Sequence, residues 1–350
     1  MTVLEQAAAR FPRIPLSHLP TPFEAMADLA AATGGPRLFV KRDDQTGLAF
    51  GGNKARKLEF ILADMKARRF GSVITWAGTQ SNWVRMCTAA AVRFGIKPIL
   101  VLKLRPDQTR EAADGNLLLD RILGAEVHLL GPDEDQPAAV ERVAEAERAR
   151  GRKPYLIAAG GSGTEWSMTE PLGAVAYALA FEELWGQAQE QGAPLTHLVL
   201  ASGSGSTHAG IVVGAKAAAP EVEIIGVSTR ASQAEGEANV LGLARKTVAA
   251  MDLDLEIEPG DVTVLDGYVG GGYGILYPAV VEAIATLART EAIFLDPVYT
   301  GKAMTGFLDL IRKKRFAPDD AVCFLHTGGT PALFPYREEI LEVIEGDATA

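Results

Sequence analysis

The chain has 350 residues, with 34 Lys and Arg against 44 Asp and Glu and a formal charge of −10, which argues against general binding to nucleic acid or an anionic membrane. Its 48% hydrophobic and 22% charged residues make the composition of a folded globular protein, long enough for two domains. It contains no apolar run near the ~20 residues that span a bilayer, and MTVLEQAAARFPR lacks the apolar core of a signal peptide, so a cytoplasmic protein is expected.

Short apolar runs at 37–41, 72–76, 98–103, 126–130, 154–158, 197–202, 223–227, 292–295 and 321–325 read as strands. Stretches such as 54–69, 83–94 and 208–219 read as amphipathic helices between them. Such alternation predicts parallel-rich sheets covered by helices on both faces. The units fall into two groups, 72–158 and 197–325, so two α/β lobes with a cleft between them are expected. The Gly-rich stretch 160–173 is the expected crossover. Cys87 and Cys323 sit in apolar runs and read as buried thiols of a reducing compartment. The five histidines are scattered, and no closely spaced Cys/His set points to a metal.

Three loops carry chemistry. Ala201-Ser202-Gly203-Ser204-Gly205-Ser206-Thr207 lies between an expected strand and an expected helix. Backbone N–H groups at a helix start, with glycines that admit close approach, form an anion cradle, and Ser204, Ser206 and Thr207 add hydroxyls. Neither GxxxxGK[ST] nor GxGxxG is present there, so a phosphate is implied without pointing to ATP or NAD. An ordinary βα turn with Ser/Thr capping is the alternative, and so many glycines and hydroxyls together favour the phosphate. Gly51-Gly52-Asn53 precedes Lys54, and Leu58, Ile61, Leu62 and Met65 follow at helical spacing. Asn53 is the expected N-cap. A lysine in the first turn opposes the helix dipole, a setting for a lowered pKa and a nucleophilic amine; a solvated lysine is the alternative. In Gly78-Thr79-Gln80-Ser81-Asn82, Ser81 and Asn82 are candidate caps or donors to a substrate carboxylate.

Taken together, the Gly-Gly-Asn-Lys, Gln-Ser-Asn and Ser-Gly-Ser-Thr segments resemble the pyridoxal-5′-phosphate (PLP) enzymes of the tryptophan synthase β-type fold (PLP fold type II). The resemblance is to the branch holding D-cysteine desulfhydrase, 1-aminocyclopropane-1-carboxylate (ACC) deaminase and L-cysteate sulfo-lyase. It extends over residues 19–22, 40–44, 47–60, 79–85, 203–210, 273–274, 295–304 and 326–334. The resemblance implies a large cofactor-binding domain of 1–56 plus 164–350, a small domain of 57–163, the cofactor in the interlobe cleft, and a homodimer. It implies that Lys54 carries the cofactor and moves protons at the substrate Cα. Ser204, Gly205, Ser206 and Thr207 would hold the phosphate, Asn82 the cofactor's 3′-oxygen, and Thr300 would face the pyridine nitrogen. Ser81, Tyr273 and Tyr299 would take part in catalysis, and Gln80, Ser81, Asn82, Trp83, Tyr273, Tyr299 and Thr327 would line the site of a small amino acid.

Within the branch, ACC deaminases carry Glu where Thr300 stands and Leu where Thr327 stands, so α,β-elimination of the D-cysteine desulfhydrase kind is expected. Trp83 stands where His is usual in desulfhydrases, Leu276 replaces a usual Pro, and 160–173, with Trp166, is longer than expected. These departures leave ACC or L-cysteate as competing substrates. A non-catalytic phosphate- or nucleotide-binding protein is the alternative of a different class.

Overall fold

The computed structural model describes residues 1–105, 113–161 and 171–346. Its strands are β1 (Phe23–Ala25), β2 (Arg37–Arg42), β3 (Ser72–Gly78), β4 (Lys97–Lys103), β5 (Glu126–Leu130), β6 (Pro154–Ile157), β7 (His197–Ser202), β8 (Glu223–Ser228), β9 (Thr263–Leu265) and β10 (Ala321–His326). Its helices are α1 (Val3–Ala8), α2 (Ala27–Thr33), α3 (Lys54–Ala67), α4 (Asn82–Arg93), α5 (Gly115–Ile122), α6 (Gln136–Ala149), α7 (Leu172–Glu190), α8 (Ser206–Ala218), α9 (Gln233–Met251), α10 (Pro278–Glu291), α11 (Thr300–Arg312) and α12 (Arg337–Gly346).

Two sheets organise the molecule. One has strand order β1-β2-β10-β7-β8-β9, parallel except for β1. The other, β5-β4-β3-β6, is wholly parallel. Central strands β7 and β10 are buried at every residue, as runs such as AVCFLH require when helices cover both faces. The chain passes between sheets twice, from β2 through α3 to β3 and from β6 through α7 to β7. Residues 162–170 of the expected crossover, with Trp166, lie outside the described residues.

Eight of the nine expected strands are present; 292–295 is not one of them. Ala292 ends α10 in the left-handed conformation. Ile293 and Leu295 are then buried on either side of exposed Phe294. This alternation imitates a strand, but the segment joins no sheet and instead leads into the turn at Asp296. Short β1 and β9, which pair at the two edges of the six-stranded sheet, carried too few residues to stand out by pattern.

Candidate active site

The carboxyl ends of the parallel strands meet at one cleft, the usual ligand side of such sheets. After β7 comes the 203–207 loop, after β10 the Thr327-Gly328-Gly329 turn, and after β3 the 79–81 loop. The Gly51-Gly52 pair closes the packing between them. A Cβ on Gly51 would fall 1.8 Å from the Asp44 carbonyl oxygen, and one on Gly328 would fall 2.7 Å from the Gly52 Cα. The Asn53 N–H donates to the Thr327 carbonyl at 3.0 Å, which sets the β10 turn beside the start of α3.

Helix α3 begins at Lys54 as the sequence predicts, but the Asn53 side chain does not cap it. The amide is drawn elsewhere: Asn53 Nδ2 donates to Thr207 Oγ1 at 2.9 Å, while its Oδ1 accepts from Lys54 Nζ at 2.6 Å. One side chain thus bridges the amine and the anion cradle. Burial lowers the Lys54 pKa to about 8; nearby Asp296 opposes this and Arg85 adds to it. At pH 7 the neutral fraction is then roughly two to three orders of magnitude above that of an ordinary lysine. Lys54 Nζ also lies 5.8 Å from the Tyr299 ring centre.

Helix α8 starts with Ser206, and Gly205 precedes it at φ +95°. A side chain at 205 would meet Asn239 Nδ2 at 2.4 Å. Lys57, one turn after Lys54 on α3, is buried and donates to Ser206 Oγ at 2.6 Å and to the Gly160 carbonyl at 3.1 Å. Burial, with Lys54 close by, pushes its pKa well below the usual lysine range. Sequence reading passed over Lys57, although its three-residue spacing from Lys54 places both amines on one helix face.

The opposite wall is built by α4 and α5. Ser81 caps α4, its Oγ accepting from the Val84 N–H at 3.3 Å. Asn116 Nδ2 donates to Asn82 Oδ1 at 2.9 Å. This orients the Asn82 amide with its NH2 toward Gly329, where an added Cβ would lie 2.7 Å away. Gln80 accepts from the Asn116 N–H and donates to the Asp114 carbonyl, so its amide pins the loop to α5. Trp83, expected to bind substrate, packs with its ring toward α3 and Gly161. It is 2% exposed, its indole N–H donates to Thr75 Oγ1 at 2.9 Å, and its ring fills the space over Gly161.

Asp296 organises the last wall. It accepts from the N–H groups of Val298, Tyr299 and Thr300 and from the Thr300 hydroxyl, at 2.8–3.0 Å. That cap turns the chain so that Tyr299 faces Lys54 while Thr300 is buried beside Asp296. The Tyr273 and Tyr299 hydroxyls are 2.6 Å apart. Burial raises both phenol pKa values, and the Tyr273 hydroxyl adds to the rise at Tyr299. Both are neutral donors at working pH.

The residues fit pyridoxal phosphate. A helix start with two hydroxyls and the Lys57 ammonium suits a dianion. Lys54 supplies an amine of lowered pKa for an aldehyde. Thr229 Oγ1 is buried without a hydrogen-bond partner, 3.5 Å from where a Cβ on Gly203 would stand, and offers a further polar contact beside the cradle.

Comparison with known proteins agrees. The family described as pyridoxal-phosphate dependent enzyme matches residues 14–328. The D-cysteine desulfhydrases of Salmonella typhi and Salmonella newport (strain SL254) are each 38% identical over 333 residues, 95% of this chain and 98% of theirs. The crystal structure of an ACC deaminase homologue matches with a TM-score of 0.87 at 31% identity, covering 98% of this chain and 99% of that one. Threonine deaminase isoform 2 from Solanum lycopersicum shares the fold, with a TM-score of 0.66 at 15% identity over 97% of this chain and 88% of its own. The chain belongs to the pyridoxal-phosphate dependent enzymes, with the two-lobe fold of the tryptophan synthase β type and pyridoxal phosphate as its cofactor.

Proposed function

We propose that this enzyme is a lyase that eliminates the β-substituent of D-cysteine. Overall, D-cysteine and water yield pyruvate, ammonium and hydrogen sulfide. The observation that carries the reading is the placement of Lys54 Nζ 5.8 Å from the ring centre of Tyr299, whose hydroxyl is paired with that of Tyr273. The likeness to the desulfhydrases and the neutral Thr300 and Thr327, where ACC deaminases carry Glu and Leu, support it. When bound, the cofactor supplies an electron sink for the carbanion at Cα.

The chain supplies the rest. Lys54 holds the cofactor and takes the Cα proton. The Tyr273 and Tyr299 hydroxyls donate a proton to the departing sulfur. Ser81, Asn82 and Thr327 bind the substrate carboxylate, with Gln80 holding their loop, and Ser81 is a further proton-transfer group. Ser204, Gly205, Ser206, Thr207 and Lys57 hold the phosphate, Asn82 the 3′-oxygen, and Thr300 faces the ring nitrogen. The division into 1–56 with 164–350 and 57–163 belongs to the same reading, supported by a four-stranded sheet drawn wholly from 72–157. So do a homodimer, testable by sedimentation, and a cytoplasmic setting, supported by two buried, unpaired cysteines.

The test is the absorbance of freshly purified protein before and after D-cysteine. A band near ~410–420 nm that is lost on borohydride reduction places the cofactor on a lysine. Sulfide and pyruvate release from D-cysteine, with ACC and L-cysteate turned over far more slowly, supports the reading; the reverse preference overturns it. Lys54→Ala is expected to lose both the band and turnover, and a Lys54→Ala protein with full activity would sink the assignment.

A further inference from the structure

The loop that carries Tyr273 runs through Gly270, Gly271, Gly272 and Gly274, three of them at positive φ. Such a backbone has many conformations to lose on ordering. Taken over the whole residue Tyr273 is 45% exposed, although its hydroxyl end is desolvated against Tyr299. On its outer side the loop borders a cavity of about 590 Å³ shared with Arg105 and Tyr336. Packing alone therefore does not fix it. Side chains from elsewhere grip its carbonyls instead. Lys302 Nζ donates to the carbonyls of Val269 and Gly272, both at 2.7 Å. The Tyr336 hydroxyl donates to the Gly274 carbonyl at 2.8 Å, and the Tyr277 hydroxyl to that of Tyr268 at 2.7 Å.

Lys302 is costly where it stands. Its side chain is fully buried. Among the described residues no carboxylate pairs with it within 4 Å. It lies in the first turn of α11, where the helix dipole disfavours a cation. Burial lowers its pKa to about 8 against the pull of Asp296. A methionine would fill the same volume without these costs, so stability does not account for a lysine here. Its position does: Tyr299 precedes the same helix turn, and Lys302 reaches from that turn to the residues flanking Tyr273.

We propose that Lys302 is a positioning residue that sets the Tyr273 hydroxyl against the Tyr299 hydroxyl by clamping the 269–272 backbone. The proposal rests on the assignment of Tyr273 to proton transfer made above, and the two can fail separately.

The experiment compares the wild-type holoenzyme with Lys302→Met, Tyr273→Phe and the double variant. Steady-state sulfide release from D-cysteine and amide hydrogen exchange across 266–277 are read for each. Lys302→Met is expected to keep the ~410–420 nm band and a KM within about threefold of wild type. Its kcat is expected to fall about tenfold to a hundredfold, the scale of a displaced acid–base group. The double variant should be no slower than Tyr273→Phe, and exchange across the loop should rise at least about tenfold in Lys302→Met alone. Unchanged exchange overturns the clamp, and losses that multiply in the double variant overturn the link to Tyr273. A wild-type kcat in Tyr273→Phe overturns the tyrosine assignment instead, while exchange still decides the clamp. If Lys302→Met does not fold, Tyr336→Phe releases the loop at Gly274 and must give the same non-additivity with Tyr273→Phe at smaller amplitude; additive losses overturn the positioning role.

Discussion

Asp120 on α5 is fully buried, with the Thr88 hydroxyl as a weak donor beside its carboxylate. Burial pushes its pKa up to about 7, with Thr88 and the Arg85 guanidinium opposing only part of the rise. The folded state thus favours the protonated acid. The stability this contributes is full below the ordinary carboxyl pKa of about 4 and is lost as pH rises through about 7. Asp120→Asn removes the titration. The variant should gain on wild type from pH 5 up to the folded pKa of about 7 and hold that gain at pH 8, a ceiling of about 2.7 kcal/mol for two units at 1.36 kcal/mol each. Relaxation around the charge brings the expected gain to about 1–2 kcal/mol. Thermal unfolding of both proteins at the two pH values checks it, and parallel pH profiles would contradict it. The same residue lies behind the site: Arg85, close to it, donates to the Gly51 carbonyl at 3.0 Å. A stabilised Asp120→Asn enzyme is therefore also a test of how much that backing charge matters to Lys54.

Helices α3 and α8 meet start to start, where Asn53 donates to Thr207 and Lys57 donates to Ser206. Lys57 is held there at a cost, since it is buried next to Lys54. Lys57→Met should have opposite effects on the two forms of the protein. The cofactor-free form should become more stable by about 1 kcal/mol, because a buried, desolvated amine beside Lys54 is replaced by an apolar chain. Cofactor affinity should fall about tenfold to a hundredfold with the loss of a charge-assisted bond of roughly 1.5–3 kcal/mol. Thermal unfolding of the cofactor-free protein and a fluorescence titration with pyridoxal phosphate separate the two effects; an equal loss in both would mean that Lys57 is only structural. These elements also show what the sequence could reveal. The strand, glycine loop and helix around 203–207 and the helix start at Lys54 are contiguous, and local pattern suffices to read them. The unpaired run 292–295 misled because burial alternates there without a ladder. Asn116 lies 34 residues from Asn82, and Lys302 30 residues from Gly272. No local signal joins such pairs, so the donors that orient the site became visible only once the chain was folded. Asp296 lies between the two cases: an Asp four residues ahead of Thr300 is a local capping pattern, but nothing local shows that its turn aims Tyr299 at the site.

At the scale of the whole molecule, both passages of the chain between the sheets are locked by one buried cluster. Arg56 on α3 donates to Asp43, which follows β2, and to Glu183 on α7, at 2.8–3.0 Å. Lys41 at the end of β2 joins the Glu183 carboxylate at 2.6 Å, and the Tyr177 hydroxyl on α7 donates to Asp43 at 2.6 Å. Burial alone would raise the Asp43 carboxyl pKa; Arg56, with Lys41 and Tyr177, more than reverses this and holds it below the usual carboxylate value. Since α3 leads into the small sheet and α7 leads out of it, the cluster ties the two crossing segments to each other on the side of the six-stranded sheet. It lies close to Lys54 as well, because Tyr177 also donates to the Asn53 carbonyl at 3.3 Å. Arg56→Met leaves two carboxylates facing Lys41 alone. It should cost about 3–5 kcal/mol, the usual penalty for removing one partner from a buried charge network. Lys313→Met, which breaks the exposed pair with Asp309 on α11, should cost under about 1 kcal/mol. Urea unfolding of the three holoenzymes at one fixed cofactor concentration measures both, since bound cofactor itself adds stability. If Arg56→Met cost no more than Lys313→Met, the two crossing segments would be held by their apolar contacts and not by this cluster. If the large loss appears with the ~410–420 nm band intact below the unfolding transition, the cluster holds the crossing segments together without taking part in holding the cofactor.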